Sequence, residues 1–116
     1  MRAVLLVVAL VLLVSAGADA QDESGHWMTG NELKAFCQDG PAFERGVCSG
    51  FAVAVADFTI RAPVDTYRAC IPVTQVTRGQ LRDIMVKYLD DHPELLHYTA
   101  TSLAAKAFEM AFPCPK

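Results

Sequence analysis

Bulky apolar residues recur every three or four positions between residues 43 and 58, and the rest of the chain is arranged around this pattern. The spacing places five of them on one helical face. Beside this stripe run the small residues Gly46, Gly50 and Ala54, which would let a neighbouring helix approach closely. We therefore predict a central apolar helix with few positions exposed to water. The stripe consists of Phe43, Val47, Phe51, Val55 and Phe58.

Two start signals of the same kind predict a helix before and a helix after the central one. Thr29 is followed three residues later by Glu32, and Thr77 is followed three residues later by Gln80. This spacing is typical of a capping box, in which each side chain bonds to the other residue's backbone N–H. The first and third helices should therefore begin directly after Thr29 and Thr77.

Proline and glycine set the remaining boundaries. The first helix should end near Gln38 and the third near Asp91, with one short helical turn over 93–96 and a last helix over 99–111. Residues 63–76 form an irregular connection, and no strand-like alternation persists. The fold class predicted is all-α, a small bundle of four main helices around the central apolar helix. The residues expected to face inward are Leu81, Ile84, Met85, Tyr88 and Leu89 from the third helix, and Leu103, Ala104, Ala107, Phe108 and Ala111 from the last.

The N-terminus has the features of an export signal. Arg2 precedes twelve apolar residues over 3–14, and Ala18-Asp19-Ala20 fits a cleavage site after Ala18 or Ala20. Twelve residues are too few to cross a bilayer, which needs roughly twenty. We predict a signal peptide over 1–20 and a single domain over 21–116; an uncleaved membrane anchor is the alternative.

Charge and hydropathy exclude two classes of partner. The chain has a net charge of −3, and the predicted leader removes one acidic and one basic residue, so the balance stays at −3. Because there is no basic run or basic-aromatic patch, nucleic acid is not expected as a partner. No second hydrophobic span follows the leader, so no membrane association is expected after cleavage.

The cysteines predict two disulfides. An even number of them in a short exported chain favours pairing, whereas zinc would need closely spaced pairs that this chain lacks. A catalytic cysteine is also not expected, because the three remaining cysteines could not all pair and one would stay unpaired. Cys37 ends the first helix and Cys48 begins the second, while Cys70 precedes the third helix and Cys114 follows the fourth. The bundle therefore favours the pairs Cys37–Cys48 and Cys70–Cys114.

No motif for catalysis, metal binding or phosphate binding is present: the chain lacks G-x-S-x-G, H-E-x-x-H, a glycine-rich phosphate loop and an EF-hand loop. Asp57 is the one acid expected near the core. It is either a functional carboxylate or, as we favour, a group bonded locally to the backbone or to Arg61 one turn away. We predict no enzyme activity, no metal and no cofactor.

The remaining ionisable residues favour structural roles. The three histidines are scattered, and His92 suits the negative end of a helix dipole. Asp90, Asp91 and Glu94 form a small acidic patch, which is either a solvated helix end or a docking surface.

An ordered set of short motifs across residues 28–115 resembles the Rap/Tai family of type VI secretion immunity proteins. Phe51 departs from the family, which commonly has tyrosine there, so any hydrogen bond of that hydroxyl is absent. The motifs are Met28-Thr29-Gly30-Asn31-Glu32-Leu33 followed by Cys37, Cys48-x-Gly50-Phe51 with Asp57 downstream, Cys70-x-Pro72, Thr77-x-Gly79-Gln80-Leu81, Tyr88-Leu89, His92-Pro93-Glu94 and Ala111-Phe112-Pro113-Cys114.

The resemblance implies a small periplasmic helical protein, often a homodimer, that protects its producer from a cell-wall-cleaving toxin. The partners it implies are peptidoglycan amidases with a cysteine–histidine site, inhibited by occlusion of their groove. The alternative from a different class is a periplasmic helical chaperone or stress-response binding protein that exposes apolar surface when the pH falls. A small enzyme is a third possibility.

Two segments are candidates for the surface that contacts such a partner. The irregular stretch 61–68 is held between the central helix and Cys70, and it carries tyrosine and arginine, the types enriched at interface hot spots. The turn 90–98 is the second candidate. Tyr67 and Leu96 have an alternative role, in which they simply pack back on the bundle. The predicted partner-binding residues are Arg61, Asp65, Tyr67, Arg68, Glu94 and Tyr98.

Overall fold

A computed structural model describes residues 27–38 and 40–116. The predicted leader 1–20 and the start of the domain predicted over 21–116 lie outside the described residues. The described chain is all-α, as predicted, and only isolated β-bridges supplement its helices. The elements in order are α1 (Gly30–Cys37), α2 (Ala42–Arg61), α3 (Arg78–Asp91), a short 3-10 helix (Pro93–Leu95) and α4 (Ala100–Ala111).

Both predicted capping boxes are confirmed. The Thr29 backbone N–H donates to Glu32 Oε2 at 2.7 Å, and the Glu32 N–H donates back to Thr29 Oγ1 at 3.3 Å. Thr77 and Gln80 make the same reciprocal pair at 2.8 and 3.2 Å. Because the caps satisfy N–H groups that have no partner inside the helix, they fix where α1 and α3 begin.

Each of the helices α1 to α4 contacts the other three, and their apolar faces enclose one core. The inward faces of α3 and α4 are largely as predicted, with Ile84 and Tyr88 partly buried against the core. Ala111 is exposed, contrary to the prediction, because α4 ends there and the chain turns away; Ala105 is buried instead. The fully buried side chains with the largest volumes are Phe108, Leu33, Met85, Leu89, Thr59 and Cys48.

The prediction for the face of α2 was wrong. Phe43 and Phe58 are 76% and 70% exposed, and Val47 and Phe51 are only partly buried. The buried positions follow the predicted stripe displaced by one residue, a rotation of roughly 100° about a helix of 3.6 residues per turn. Val55 alone belongs to both sets. The buried residues of α2 are Cys48, Ala52, Val55, Ala56 and Thr59.

The rotation of α2 has two physical causes. Cys48 is bonded to Cys37 at the end of α1, so this side of α2 must face α1. Ala52 and Ala56 then let the neighbouring helices approach closely, while larger residues from the other helices fill the core. The buried Thr59 hydroxyl is satisfied locally because it donates to the Val55 carbonyl at 2.6 Å.

The small residues of α2 do not form a helix contact. Gly46, Gly50 and Ala54 are exposed, and a Cβ built at Gly46 or Gly50 would meet nothing within 4 Å. The expectation that a neighbouring helix approaches closely at these small residues is therefore wrong. These three small residues lie on the outer face of the bundle.

Both predicted disulfides are confirmed. Cys37 pairs with Cys48, with 5.1 Å between their Cα atoms, and Cys70 pairs with Cys114 at 5.0 Å. The first bridge joins α1 to α2, and the second joins the connection after α2 to the segment after α4. Within the part of the chain that the structure describes, no helix is long and apolar enough to cross a membrane.

Candidate functional site

A tight turn projects from the connection between α2 and α3. The Val64 N–H donates to the Tyr67 carbonyl and the Tyr67 N–H donates to the Val64 carbonyl, both at 2.9 Å. Asp65, the first central residue, has a φ of 54°. Left-handed φ values are uncommon outside glycine, but aspartate and asparagine tolerate them in turns of this kind. Residues 64–67 are called the 64–67 turn below.

Helix α4 contacts the turn through Ser102. The Ser102 hydroxyl donates to the Asp65 carboxylate, 37 positions away in sequence. Ser102 Oγ also lies 2.7 Å from Thr99 Oγ1. Because Ser102 has one hydroxyl proton and gives it to Asp65, Thr99 is the donor in this second bond.

A second contact joins α4 to the ring of Tyr67. Lys106 Nζ lies 5.0 Å from the ring centroid, within the range of a cation–π interaction. The same ammonium donates to Glu109 Oε2 at 2.8 Å. This hydrogen bond raises the pKa of Lys106 above its ordinary value. A lysine is already protonated at neutral pH without such a shift, so the group over the ring is a cation.

The chain on either side of the turn is fixed. Upstream, the Ala62 N–H donates to the Phe58 carbonyl at 2.9 Å and closes α2. Downstream, Ala69 is buried, and the Cys70 N–H donates to the Phe112 carbonyl at 2.9 Å. With the Cys70–Cys114 disulfide, these contacts leave a short exposed segment between two rigid attachments.

A groove of about 570 Å³ lies between the 64–67 turn, the turn after α3 and the outer face of α4. It therefore brings together side chains from both of the segments that the sequence suggested separately. Three tyrosine rings and four other polar side chains give the groove its chemistry: Tyr67, Tyr88, Tyr98, Asp65, Thr99, Ser102 and Lys106.

Tyr88, like Tyr67, is a partly buried ring of the groove. It stacks on His92 with 4.1 Å between ring centroids, and His92 Nδ1 lies 2.8 Å from the Tyr88 carbonyl. Since a carbonyl only accepts, Nδ1 carries the proton in this contact. Burial raises the pKa of the Tyr88 phenol, although Lys106 opposes the shift. Tyr88 is therefore a neutral, fixed wall of the groove.

The acidic patch at the end of α3 is mostly paired. Asp90 lies 2.9 Å from Lys34, and Asp91 lies 2.6 Å from Lys87. The hydrogen bond from Lys87 holds the pKa of Asp91 below its ordinary value and raises that of Lys87. Asp90 therefore links α3 to α1, and Asp91 is paired within α3. These pairings favour the interpretation of the patch as a solvated helix end.

Three of the six predicted partner-binding residues line the groove: Asp65, Tyr67 and Tyr98. The other three, Arg61, Arg68 and Glu94, are exposed on the same two segments but do not line it. Leu96 is buried, as its alternative role required, and Tyr67 is partly buried against the core while one side borders the groove.

Sequence reasoning missed Ser102 and Lys106. They are four positions apart and therefore share one face of α4, which is a weak signal because any exposed helix face carries such pairs. Asp57, expected near the core, is exposed because the rotation of α2 turns it outward, and no ion pair joins it to Arg61.

The arrangement is suited to recognition. In the described part of the chain, no group of three or more histidine, cysteine, aspartate or glutamate residues is placed to hold a metal ion. What the site offers is a fixed turn with a half-buried tyrosine and exposed arginines beside a tyrosine-walled groove. Rigid aromatic and arginine side chains of this kind act as anchors in protein interfaces.

Comparison with known proteins identifies the family. No curated protein matches the chain. The family model of the Rap1a immunity proteins matches residues 29–114. This match includes all four helices, both disulfides and both segments that border the groove. The chain belongs to the family of Rap1a immunity proteins.

Proposed function

We propose that this protein acts in the periplasm, where it binds and inhibits a type VI secretion effector that cleaves peptidoglycan as an amidase. The family establishes an immunity role, which implies a protein effector as partner. The amidase chemistry belongs to the effector, and no reaction is assigned to the immunity protein itself.

The 64–67 turn is the observation that supports this proposal most strongly. To block a cysteine–histidine site, an inhibitor needs a narrow segment that enters the enzyme's groove without collapsing. The turn is narrow, its ends are attached to α2 and to Cys70, and Ser102 and Lys106 contact it from the side. A segment that is ordered before binding loses little conformational entropy on binding.

The flanking residues give the turn its recognition chemistry. Arg61 and Arg68 are exposed on either side of it, and Tyr67 presents part of its ring to the groove. Tyrosine and arginine combine apolar area with hydrogen-bond donors. Contacts from these residues would occupy the effector's groove, while Tyr98 and Glu94 would meet its rim.

Replacing Tyr67 and Arg68 together by alanine is expected to weaken effector binding by about 30-fold or more, which is the effect of losing one hot spot of about 2 kcal/mol. Calorimetry with a purified type VI secretion amidase effector from the same organism measures this change. Because Tyr67 also packs on the core, helical circular dichroism and thermal melting must accompany the measurement, and Tyr67→Phe with Arg68→Ala preserves the packing.

Arg78→Ala is the matched control. Arg78 is exposed at the first position of α3, roughly 15 Å along that helix from Tyr88 at the groove. The Arg78→Ala substitution removes one positive charge, as Arg68→Ala does, but it does not touch the turn. It should therefore leave the affinity for the effector unchanged. If the Tyr67/Arg68 variant is folded and binds as tightly as this control, the 64–67 turn is not the contact surface.

We also propose that the protein is a homodimer that associates through the outer face of α2. Phe43 and Phe58 stand exposed on this face, with Gly50 and Ala54 between them. Small residues flanked by aromatic side chains let two copies of a helix approach closely and bury the rings. The groove beside the 64–67 turn is lined by that turn, the turn after α3 and α4, and no residue of α2 lines it.

Phe58→Glu should raise the dimer dissociation constant by at least about tenfold, because it places a charge in an apolar contact. Sedimentation velocity over a concentration series measures the change, and Met110→Glu, at another exposed apolar position, is the control. A wild-type protein that stays monomeric throughout the series would contradict the dimer.

The exposed face of α2 is also what a chaperone would use to hold unfolded clients, so the alternative function has a specific observation in its favour. Suppression of aggregation of unrelated denatured proteins distinguishes the two. An immunity protein should not protect such clients at any pH from neutral to mildly acidic, whereas a chaperone should protect several of them.

A further inference from the structure

We propose that Ser102 and Lys106 of α4 are positioning residues that hold the 64–67 turn in the conformation that binds the effector. The inference rests on the proposed function and adds residues of α4 that contact the turn. Both lie on one face of α4, and the helix is itself fixed by the burial of Leu103 and Ala107, the residues that directly follow them.

The turn needs this support because its own bonds are few. Two backbone hydrogen bonds close it, both between Val64 and Tyr67. A two-residue turn without further strands is only marginally stable in water, and Asp65 adds the cost of a left-handed backbone. Left alone, such a segment would exchange between several conformations.

Ser102 acts on the residue that carries the unfavourable backbone angle. Its hydroxyl donates to the Asp65 carboxylate, and a hydrogen bond to a charged group is stronger than one between neutral groups. Thr99 donates to Ser102 in turn, so the hydroxyl is oriented toward Asp65. The pair links the tip of the turn directly to the first turns of α4.

Lys106 acts on the other end of the turn. Its ammonium lies over the Tyr67 ring, and Glu109 holds the ammonium there. The ring is thereby fixed with one side toward the core and the other toward the groove. Together the two contacts restrain the central and final residues of the turn, which are the positions that must reach a partner.

Amide hydrogen exchange of the purified protein gives a readout that does not depend on the effector. In Ser102→Ala, the Tyr67 amide should exchange about tenfold faster than in the wild type, as expected when a hydrogen bond to a charged group is lost. Amides in the middle of α3 should be unaffected. Ser102→Thr keeps the hydroxyl and should restore protection. Thr101→Ala, at the exposed position of α4 that precedes Ser102, is the control.

Effector affinity is then measured on the same variants. Ser102→Ala and Lys106→Met should each bind the same amidase effector about three- to tenfold more weakly, since part of the binding energy must order the turn. Their melting temperatures should stay close to that of Thr101→Ala, and Ser102→Thr should regain wild-type affinity.

Unchanged exchange at Tyr67 in Ser102→Ala and Lys106→Met would overturn the positioning role. Faster exchange with unchanged affinity would also overturn the inference, because a disordered turn would then bind as well as an ordered one. Failure of the proposed function is distinct: the wild-type protein itself would not bind the effector, whereas failure of this inference appears only in the variants.

Discussion

Replacing Cys70 and Cys114 together by alanine is expected to lower the free energy of unfolding by about 4 kcal/mol. This disulfide closes a segment of 44 residues that contains α3, the 3-10 helix and α4. In the chain-entropy account, the bond restricts the unfolded chain in proportion to the logarithm of the segment length. For a domain of this size, 4 kcal/mol is comparable to the low end of a whole native stability.

Denaturant titration followed by circular dichroism measures the effect, and the Cys37/Cys48 double alanine variant is the comparison. That bridge closes only 11 residues and should contribute about 3 kcal/mol. The long-range variant should therefore be the less stable of the two. An equal or smaller loss on removing the Cys70–Cys114 bond would contradict the account.

The same variant should also weaken the candidate site. Cys70 attaches the downstream end of the 64–67 turn to the segment after α4, and the bond from the Cys70 N–H to the Phe112 carbonyl depends on that attachment. The Cys37–Cys48 bridge touches neither the turn nor the groove. The Cys70–Cys114 disulfide therefore contributes both to the stability of the fold and to the position of the 64–67 turn.

Gly30→Val is expected to destabilise the fold by about 1–3 kcal/mol through overpacking. A Cβ at Gly30 would stand 2.5 Å from Leu103 Cδ1 and 3.0 Å from the Cα and carbonyl oxygen of Leu96. The leucine side chain can turn aside, but the Leu96 backbone cannot, because its carbonyl accepts from the Asn31 N–H at 2.9 Å. Separating the two segments breaks that bond as well.

Gly50→Ala is the matched control and should have the opposite sign. Gly50 lies inside α2 with open space around it, so alanine should stabilise the helix by about 1 kcal/mol or somewhat less. Thermal melting of both variants checks the pair. A neutral Gly30→Val would mean that α1 does not approach the turn after α3 as closely as described.

Helix ends and disulfides followed from the sequence because their causes are local or topological. The capping boxes at Thr29 and Thr77 need only a spacing of three residues, and they set the start of α1 and α3. The disulfide pairs followed from the order of the four helices. A short connection keeps the end of α1 near the start of α2, and an antiparallel arrangement brings the start of α3 near the end of α4.

The orientation of α2 did not follow from the sequence because nearly every face of this helix is apolar. A hydrophobic pattern indicates a buried face only when a polar face opposes it. The disulfide at Cys48 was the feature that fixed the orientation, and it assigns the core to Ala52 and Ala56 rather than to Phe43 and Phe58. Residue size alone had suggested the reverse.

The candidate site was predictable only in part for a related reason. Asp65, Tyr67 and Tyr98 stood out by residue type and by their place in connections, and the groove unites them. Ser102 reaches Asp65 across 37 positions, and no local pattern records a contact of that range. Gly30 is similar, because its need for space arises from segments that meet only in the folded chain.

Inhibition of the effector is the most direct test of the proposed function. The purified protein is titrated into a purified type VI secretion amidase effector from the same organism, and release of peptide from peptidoglycan is followed. The proposal predicts that the wild-type protein abolishes cleavage once it reaches the effector's concentration, and that the folded Tyr67/Arg68 variant needs a large excess. Undiminished cleavage in the presence of excess wild-type protein would contradict the proposed function.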